Sequence, residues 1–154
     1  MDAGLRSAEL IGLTLADVDL DNGLLLVLGK GRRKRQVPIG KKCISAIDKY
    51  LRSRSKSDNS NRHELWIGSK GPLTDSGLRQ MLTRKSRSAG IPHIHAHQLR
   101  RYFAAEWISE GGSETDLMRI TGWKTRAMIN HYTSGRATQM AFKAHRRLSP
   151  ADRL

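Results

Sequence analysis

Apolar and polar positions alternate along this chain in a way that predicts several helices around one small sheet. Residues 97–108, HQLRRYFAAEWI, are good helix formers without Gly or Pro, and apolar Leu99, Phe103 and Trp107 recur every four residues. That spacing predicts a helix anchored in the core through Leu99. Residues 41–53 place Ile44, Ile47 and Leu51 on one inward side. A third helix runs from a cap at Thr74 or Asp75 to Ala89, with Leu78, Met81 and Leu82 inward and Arg79, Arg84, Lys85 and Arg87 outward. Gly90 ends it and Pro92 enforces the break. Ser113 caps ETDLMRI, whose Glu114 and Asp116 suit the positive end of the helix dipole.

Two more helices follow, one from Thr125 through RAMINHY and one over about residues 136–147. Near the start, GLRSAEL leads into a short helix ending near Gly12, and Leu15, Val18 and Leu20 continue in a turn-rich segment. The period changes at Leu24–Leu28, a β-type run, and again at residues 35–39, RQVPI. Gly29-Lys30-Gly31-Arg32-Arg33 joins the two as a hairpin turn. The expected fold class is α+β, mostly α: a helical bundle with a small antiparallel sheet.

Charge changes this picture most. Across 154 residues, 28 Lys and Arg oppose 14 Asp and Glu, a net charge of +14. Such an excess points to a polyanionic partner, and double-stranded DNA fits it best. The distribution is uneven, since residues 1–29 hold one basic residue, Arg6, and five acidic ones. Residues 30–54 hold ten basic residues and one acid, Asp48. The hairpin and the helix after it should therefore meet phosphates, through Arg32, Arg33, Lys34, Arg35, Lys41 and Lys42, with Arg101 beside them on the central helix. The hairpin is not a phosphate-cradling P-loop, because the G-x-x-x-x-G-K-[ST] spacing is missing.

The length suits one domain with a core of its own. A single cysteine, Cys43, excludes an internal disulfide and a Cys-based zinc site and fits a reduced compartment. No apolar run is long enough to span a bilayer, and MDAGLR lacks the regions of a signal peptide. The expected location is the cytoplasm, at the nucleoid. RSRSKSDNSN reads as a polar loop.

Candidate chemistry gathers in residues 97–132. His97 and Arg100 lie three apart on one helix, so both are expected on one face. Trp123 and Tyr132 follow at the next two helices, and the four groups could converge on a phosphate. Arg6 and Glu9, also three apart, can pair, although a surface pair of that kind is worth only about 0–1 kcal/mol. His93, His95 and His97 alternate and on a strand could bind zinc as in a hydrolase. A helix starting near His95 would break that alternation, so no metal is assigned. Of the tyrosines, Tyr50 and Tyr102 read as packing residues.

GLRSAEL, the LGKG–RQVPIG hairpin, HQLRRYF, the TGW step and a tyrosine nine residues after that tryptophan occur in one order with compatible spacing. In these pieces, over nearly its whole length, the chain resembles the catalytic domain of tyrosine recombinases, the phage integrase family. The resemblance implies metal-independent, cofactor-free DNA cleavage and rejoining through a 3′-phosphotyrosyl link, serving integration or recombination in a homotetramer on DNA. It makes Arg6 and Arg100 the arginines that bind the scissile phosphate, Lys30 the group that protonates the departing 5′-oxygen, His97 the proton acceptor and Tyr132 the nucleophile. Trp123 stands where many relatives have a second histidine, and Glu9 matches the supporting acid. Departures are His95, where relatives carry Thr or Ser as a cap, and Gln98, where aspartate is common. Relatives also have a helix before the first arginine and an N-terminal core-binding domain, which residues 1–154 are expected to lack. A DNA-binding fragment without chemistry and a nicking and resealing activity like that of type IB topoisomerases are the competing readings.

Overall fold

The structure, a computed structural model, describes residues 2–29, 31, 33–133, 137–149 and 151–153, with the side chains of 130–133, 137, 139, 140 and 153 outside that description. Among the described residues there are seven α-helices, a three-stranded sheet and a small hairpin. Helix α1 (Ser7–Ile11) is followed by a 3-10 turn at Leu15–Asp17, which Asp17 closes by accepting the Thr14 amide and hydroxyl at 2.9 and 2.7 Å. The antiparallel sheet then runs β1 (Val18–Asp19), β2 (Leu24–Leu28) and β3 (Lys34–Pro38) in that spatial order. Leu25 faces Val37 and Val27 faces Arg35 in the register. The leucine run thus resolves into the alternation of a half-buried strand: Leu25 and Val27 are buried, and Leu28 is exposed.

Helix α2 (Lys41–Arg54) packs Ile47 on this sheet, and with Leu13, Ile39 and Leu65 these residues make the first core. After the hairpin of β4 (Ile67–Gly68) and β5 (Gly71–Pro72), α3 (Asp75–Ser88) starts with the Thr74 hydroxyl accepting the Gly77 amide at 3.1 Å. Gly90 ends the segment with φ +65. The central helix α4 (Ala96–Ser109) packs against α5 (Glu114–Thr121) and α6 (Arg126–Thr133). Ala104, Leu117, Trp123 and Ile129 form the second core there. Helix α7 (Ala137–Leu148) lies against α4, tied by Lys143 Nζ to Glu110 Oε1 at 2.7 Å.

Two expectations change. Met81 lies on the exposed side of α3, because Leu78 and Ser86 take the inward stripe. Tyr102 is 49% exposed and packs little. Tyr50 does pack, against Trp66 at 5.1 Å, with its hydroxyl donating to the Leu65 carbonyl and accepting the Ile67 amide. The polar loop after α2 is organised by a buried cation: Arg54 donates to the carbonyls of Ser60, Arg62, Glu64 and Leu65. Its charge is spent on backbone and not on a partner's phosphates.

Candidate active site

The site is assembled on Glu9. Arg6 precedes α1 in extended conformation, and Glu9 in the first turn reaches back to accept the Arg6 backbone amide at 2.8 Å. The same carboxylate accepts Arg6 Nη1 at 2.8 Å. From β3, Arg35 forks onto it, Nη1 to Oε1 at 2.9 Å and Nη2 to Oε2 at 3.0 Å. Arg100 Nη1 lies 3.7 Å from Oε2. Three guanidiniums thus surround one side chain that is only 5% exposed. Burial pushes the Glu9 carboxyl up, but the Arg35 fork and the Arg6 amide and guanidinium outweigh it and hold the group at about 2, from an ordinary 4.5. The pair that spacing alone made a weak surface bridge belongs to a hub built on a buried carboxylate.

Arg100 is itself buried. It donates Nη1 to the Gly4 carbonyl and Nη2 to the Thr121 carbonyl at 2.8 Å, and its guanidinium lies 5.2 Å from the centre of the Trp123 ring. Gly4 has φ +54, and a Cβ there would fall 2.4 Å from the Phe103 ring, so only glycine brings this carbonyl to the arginine. Trp123 follows Gly122, whose φ of +70 turns the chain out of α5. Its indole is a member of the second core as well as a wall of the site.

Arg6, 41% exposed along its side chain, opens from the hub into a cleft of about 350 Å³. Arg33, Lys34, Arg35, Gly122, Trp123, Lys124 and Thr125 are among its walls. Its electrostatic character suits a phosphodiester, and the Glu9 hub fixes the cations behind it before any ligand arrives.

Two expectations of side-chain direction are corrected. His97 and Arg100 do not share an environment: Arg100 is turned into the core, whereas His97 is exposed in the first turn of α4. The His97 ring stacks on His95 at 5.7 Å, and His95 meets His93 edge-on at 4.3 Å. The three imidazoles form a surface ladder, since His95 caps the helix and its amide donates to Gln98 Oε1 at 2.7 Å. Arg35, expected to contact phosphates with its hairpin neighbours, instead aims its guanidinium inward at Glu9 and the Ile120 carbonyl. Arg33, Lys34, Lys41, Lys42 and Arg101 are exposed.

Tyr132 lies in the last turn of α6, with its side chain outside the described residues, as are Lys30 and Arg32 altogether. Gly4 and Thr121 are members of the site that spacing did not reveal, and Arg35 was expected in another role. The signal for all three was that they fall inside the GLRSAEL, TGW and RQVPIG pieces.

A mostly helical domain with a small antiparallel sheet is the fold of a tyrosine recombinase catalytic domain. The chain matches the phage integrase family over residues 1–139, and it belongs to that family. It is 32% identical over 149 residues to the tyrosine recombinase XerC of Staphylococcus saprophyticus, covering 94% of this chain and 50% of that one. With the XerC of Alcanivorax borkumensis it shares 35% over 133 residues, 84% of this chain and 43% of the other. The chain spans about half the length of the curated relatives it matches. Among solved structures, XerA recombinase superposes with a TM-score of 0.85 at 26% identity, over 97% of this chain and 55% of that one. The Tn1549 transposon integrase in complex with transposon right end DNA superposes with a TM-score of 0.76 at 20% identity, over 96% and 56%. Among the described residues, no helix is long and apolar enough to cross a membrane.

Proposed function

We propose that this domain breaks and rejoins double-stranded DNA in site-specific recombination, through a covalent link between Tyr132 and a 3′-phosphate. The observation that carries the reading is the Glu9 hub, which holds Arg6 at the cleft and Arg100 behind it before any substrate arrives. Arg6 and Arg100 bind the non-bridging oxygens of the scissile phosphate and take up the charge that grows in the pentacoordinate transition state. The Tyr132 oxygen attacks phosphorus, and the bond to the 5′-oxygen breaks. The phenol, with an ordinary pKa of about 10, gives its proton to His97, and Lys30 protonates the departing oxygen. Trp123 closes the cleft and stacks on Arg100. The phosphotyrosyl bond conserves the phosphodiester energy, so rejoining needs no nucleotide.

Arg33, Lys34, Lys41, Lys42 and Arg101, with Arg32, meet the DNA backbone around the cleft. The working form is a homotetramer on two DNA sites, acting in the cytoplasm at the nucleoid.

The test is a duplex nicked beside the cleavage position, drawn from repeats flanking the gene and run on a denaturing gel after incubation without added metal. A covalent protein–DNA band that Tyr132→Phe abolishes is the expected result. Duplex binding without such a band on any flanking repeat would make the domain a binding module. Relaxation of supercoiled plasmid without strand exchange would make it topoisomerase-like.

A further inference from the structure

We infer that Arg35 is a positioning residue for strand cleavage, one that locks Glu9 and the hairpin against α5 and does not touch DNA. The inference rests on the reading of Arg6 and Arg100 as phosphate-binding groups. Arg35 is the second residue of β3, opposite buried Val27, and its side chain is 15% exposed, while Arg33 and Lys34 beside it are exposed. All three guanidinium nitrogens donate inward. Nη1 and Nη2 take the two Glu9 oxygens on α1, and Nε takes the Ile120 carbonyl on α5 at 2.8 Å. One planar group therefore joins β3, α1 and α5, three elements that meet at the cleft.

The consequences follow from who else uses those atoms. Glu9 Oε1 is shared between Arg35 and Arg6, so the Arg35 fork fixes the carboxylate on which the Arg6 guanidinium rests. The Ile120 bond ties the strand that follows the Lys30 turn to the end of α5, two residues before Gly122-Trp123. Gly122 leaves just enough room: a Cβ there would stand 3.3 Å from the guanidinium. A lysine keeps the charge but cannot fork onto a carboxylate and reach a carbonyl at once.

The test compares the full wild-type chain with Arg35→Lys and Arg35→Ala. Three quantities are read: the single-turnover rate of covalent complex formation on a nicked duplex, the duplex Kd across a salt series, and the folded fraction by circular dichroism. Arg35→Lys is expected to cleave roughly 100-fold slower at a temperature where it is fully folded, as a misplaced reacting group would. Its Kd should change less than about threefold, with the slope of log K against log salt unaltered. Arg35→Ala should lose cleavage likewise and regain part of it with added guanidinium ion, though not with ammonium at the same ionic strength.

A cleavage rate equal to wild type overturns the inference. So does a salt slope shallower by about 0.9 in Arg35→Ala, which removes the charge, the signature of one lost phosphate contact. A cleavage loss that merely tracks the unfolded fraction, with no rescue by guanidinium, reduces Arg35 to a structural residue. A wild-type chain that gives no covalent band overturns the reaction itself, and this inference with it; a wild-type band beside an unaffected Arg35→Lys overturns the inference alone.

Discussion

The Glu9 hub and the histidine ladder at the start of α4 both carry groups assigned to the reaction, and they are built in opposite ways. At Glu9, side chains from α1, β3 and α4 close around one buried carboxylate, and Arg100 also holds backbone carbonyls of residues 4 and 121. At His93, His95 and His97 the rings stack on one another at the surface, and each is exposed. The difference fits the roles proposed for them. Charge stabilisation works best from groups that need not reorganise, and burial with a complete set of partners provides that. A proton acceptor must reach its donor and exchange with solvent, so an exposed imidazole with a soft stacking partner suits it.

The largest expected effect removes the hub. Glu9→Ala leaves guanidiniums from three elements facing one another without their counter-charge, and should cost about 3–5 kcal/mol of stability, seen as a lowered urea midpoint. In chain that remains folded, covalent complex formation should be nearly lost, whereas His93→Ala should leave the urea midpoint almost unmoved. Equal sensitivity of both sites in urea would erase the contrast.

Next comes Gly4→Ala. A left-handed φ and a Cβ driven into the Phe103 ring should cost about 2–3 kcal/mol and withdraw the carbonyl that holds Arg100. Thermal melting measures the first effect and the cleavage rate the second.

Acid separates the two regions again. The folded Glu9 pKa is depressed to about 2, so its contribution is complete above about 4.5 and is lost as pH falls toward 2. The difference in unfolding free energy between wild type and Glu9→Gln should shrink over that window by on the order of 2 kcal/mol, after allowance for solvent screening. Denaturant titrations of both proteins at several pH values measure it, and a constant difference would place the carboxylate outside the hub.

The smallest effect concerns the ladder itself. His95→Ser puts a good capping side chain before α4, at the position where related recombinases carry Ser or Thr, and should raise stability by about 0.5–1 kcal/mol. It also removes the ring on which His97 stacks. A thermal shift reads the first change, and the pH profile of cleavage reads the second.

Residues whose behaviour depends on near neighbours were legible in the sequence. Leu24–Leu28 reads as a strand because branched apolar residues lie between turn formers, and α3 is marked by its Thr74 cap and its Gly90 stop. Ser113 before α5 was visible for the same reason. The Arg6–Glu9 pairing was legible too, because a helical turn brings residues three apart together. Its importance was not, since the further guanidiniums that enclose Glu9 come from β3 and α4.

What only the tertiary structure decided is where each cation spends its charge. A run of basic residues looks uniform in sequence, yet Arg33 and Lys34 face solvent while Arg35 turns inward to Glu9, 26 residues away, and Ile120, 85 residues away. Arg54 satisfies backbone carbonyls, and Arg100 reaches Gly4 across 96 residues to lie against Trp123. Met81 and Tyr102 stayed outside for the complementary reason, as other side chains had filled the inward stripes of their helices. Local pattern determines helices, strands and caps because their bonds close within a few residues. The fate of a guanidinium depends on which distant carboxylates and carbonyls packing brings within 3 Å, and that is known only once the chain is folded.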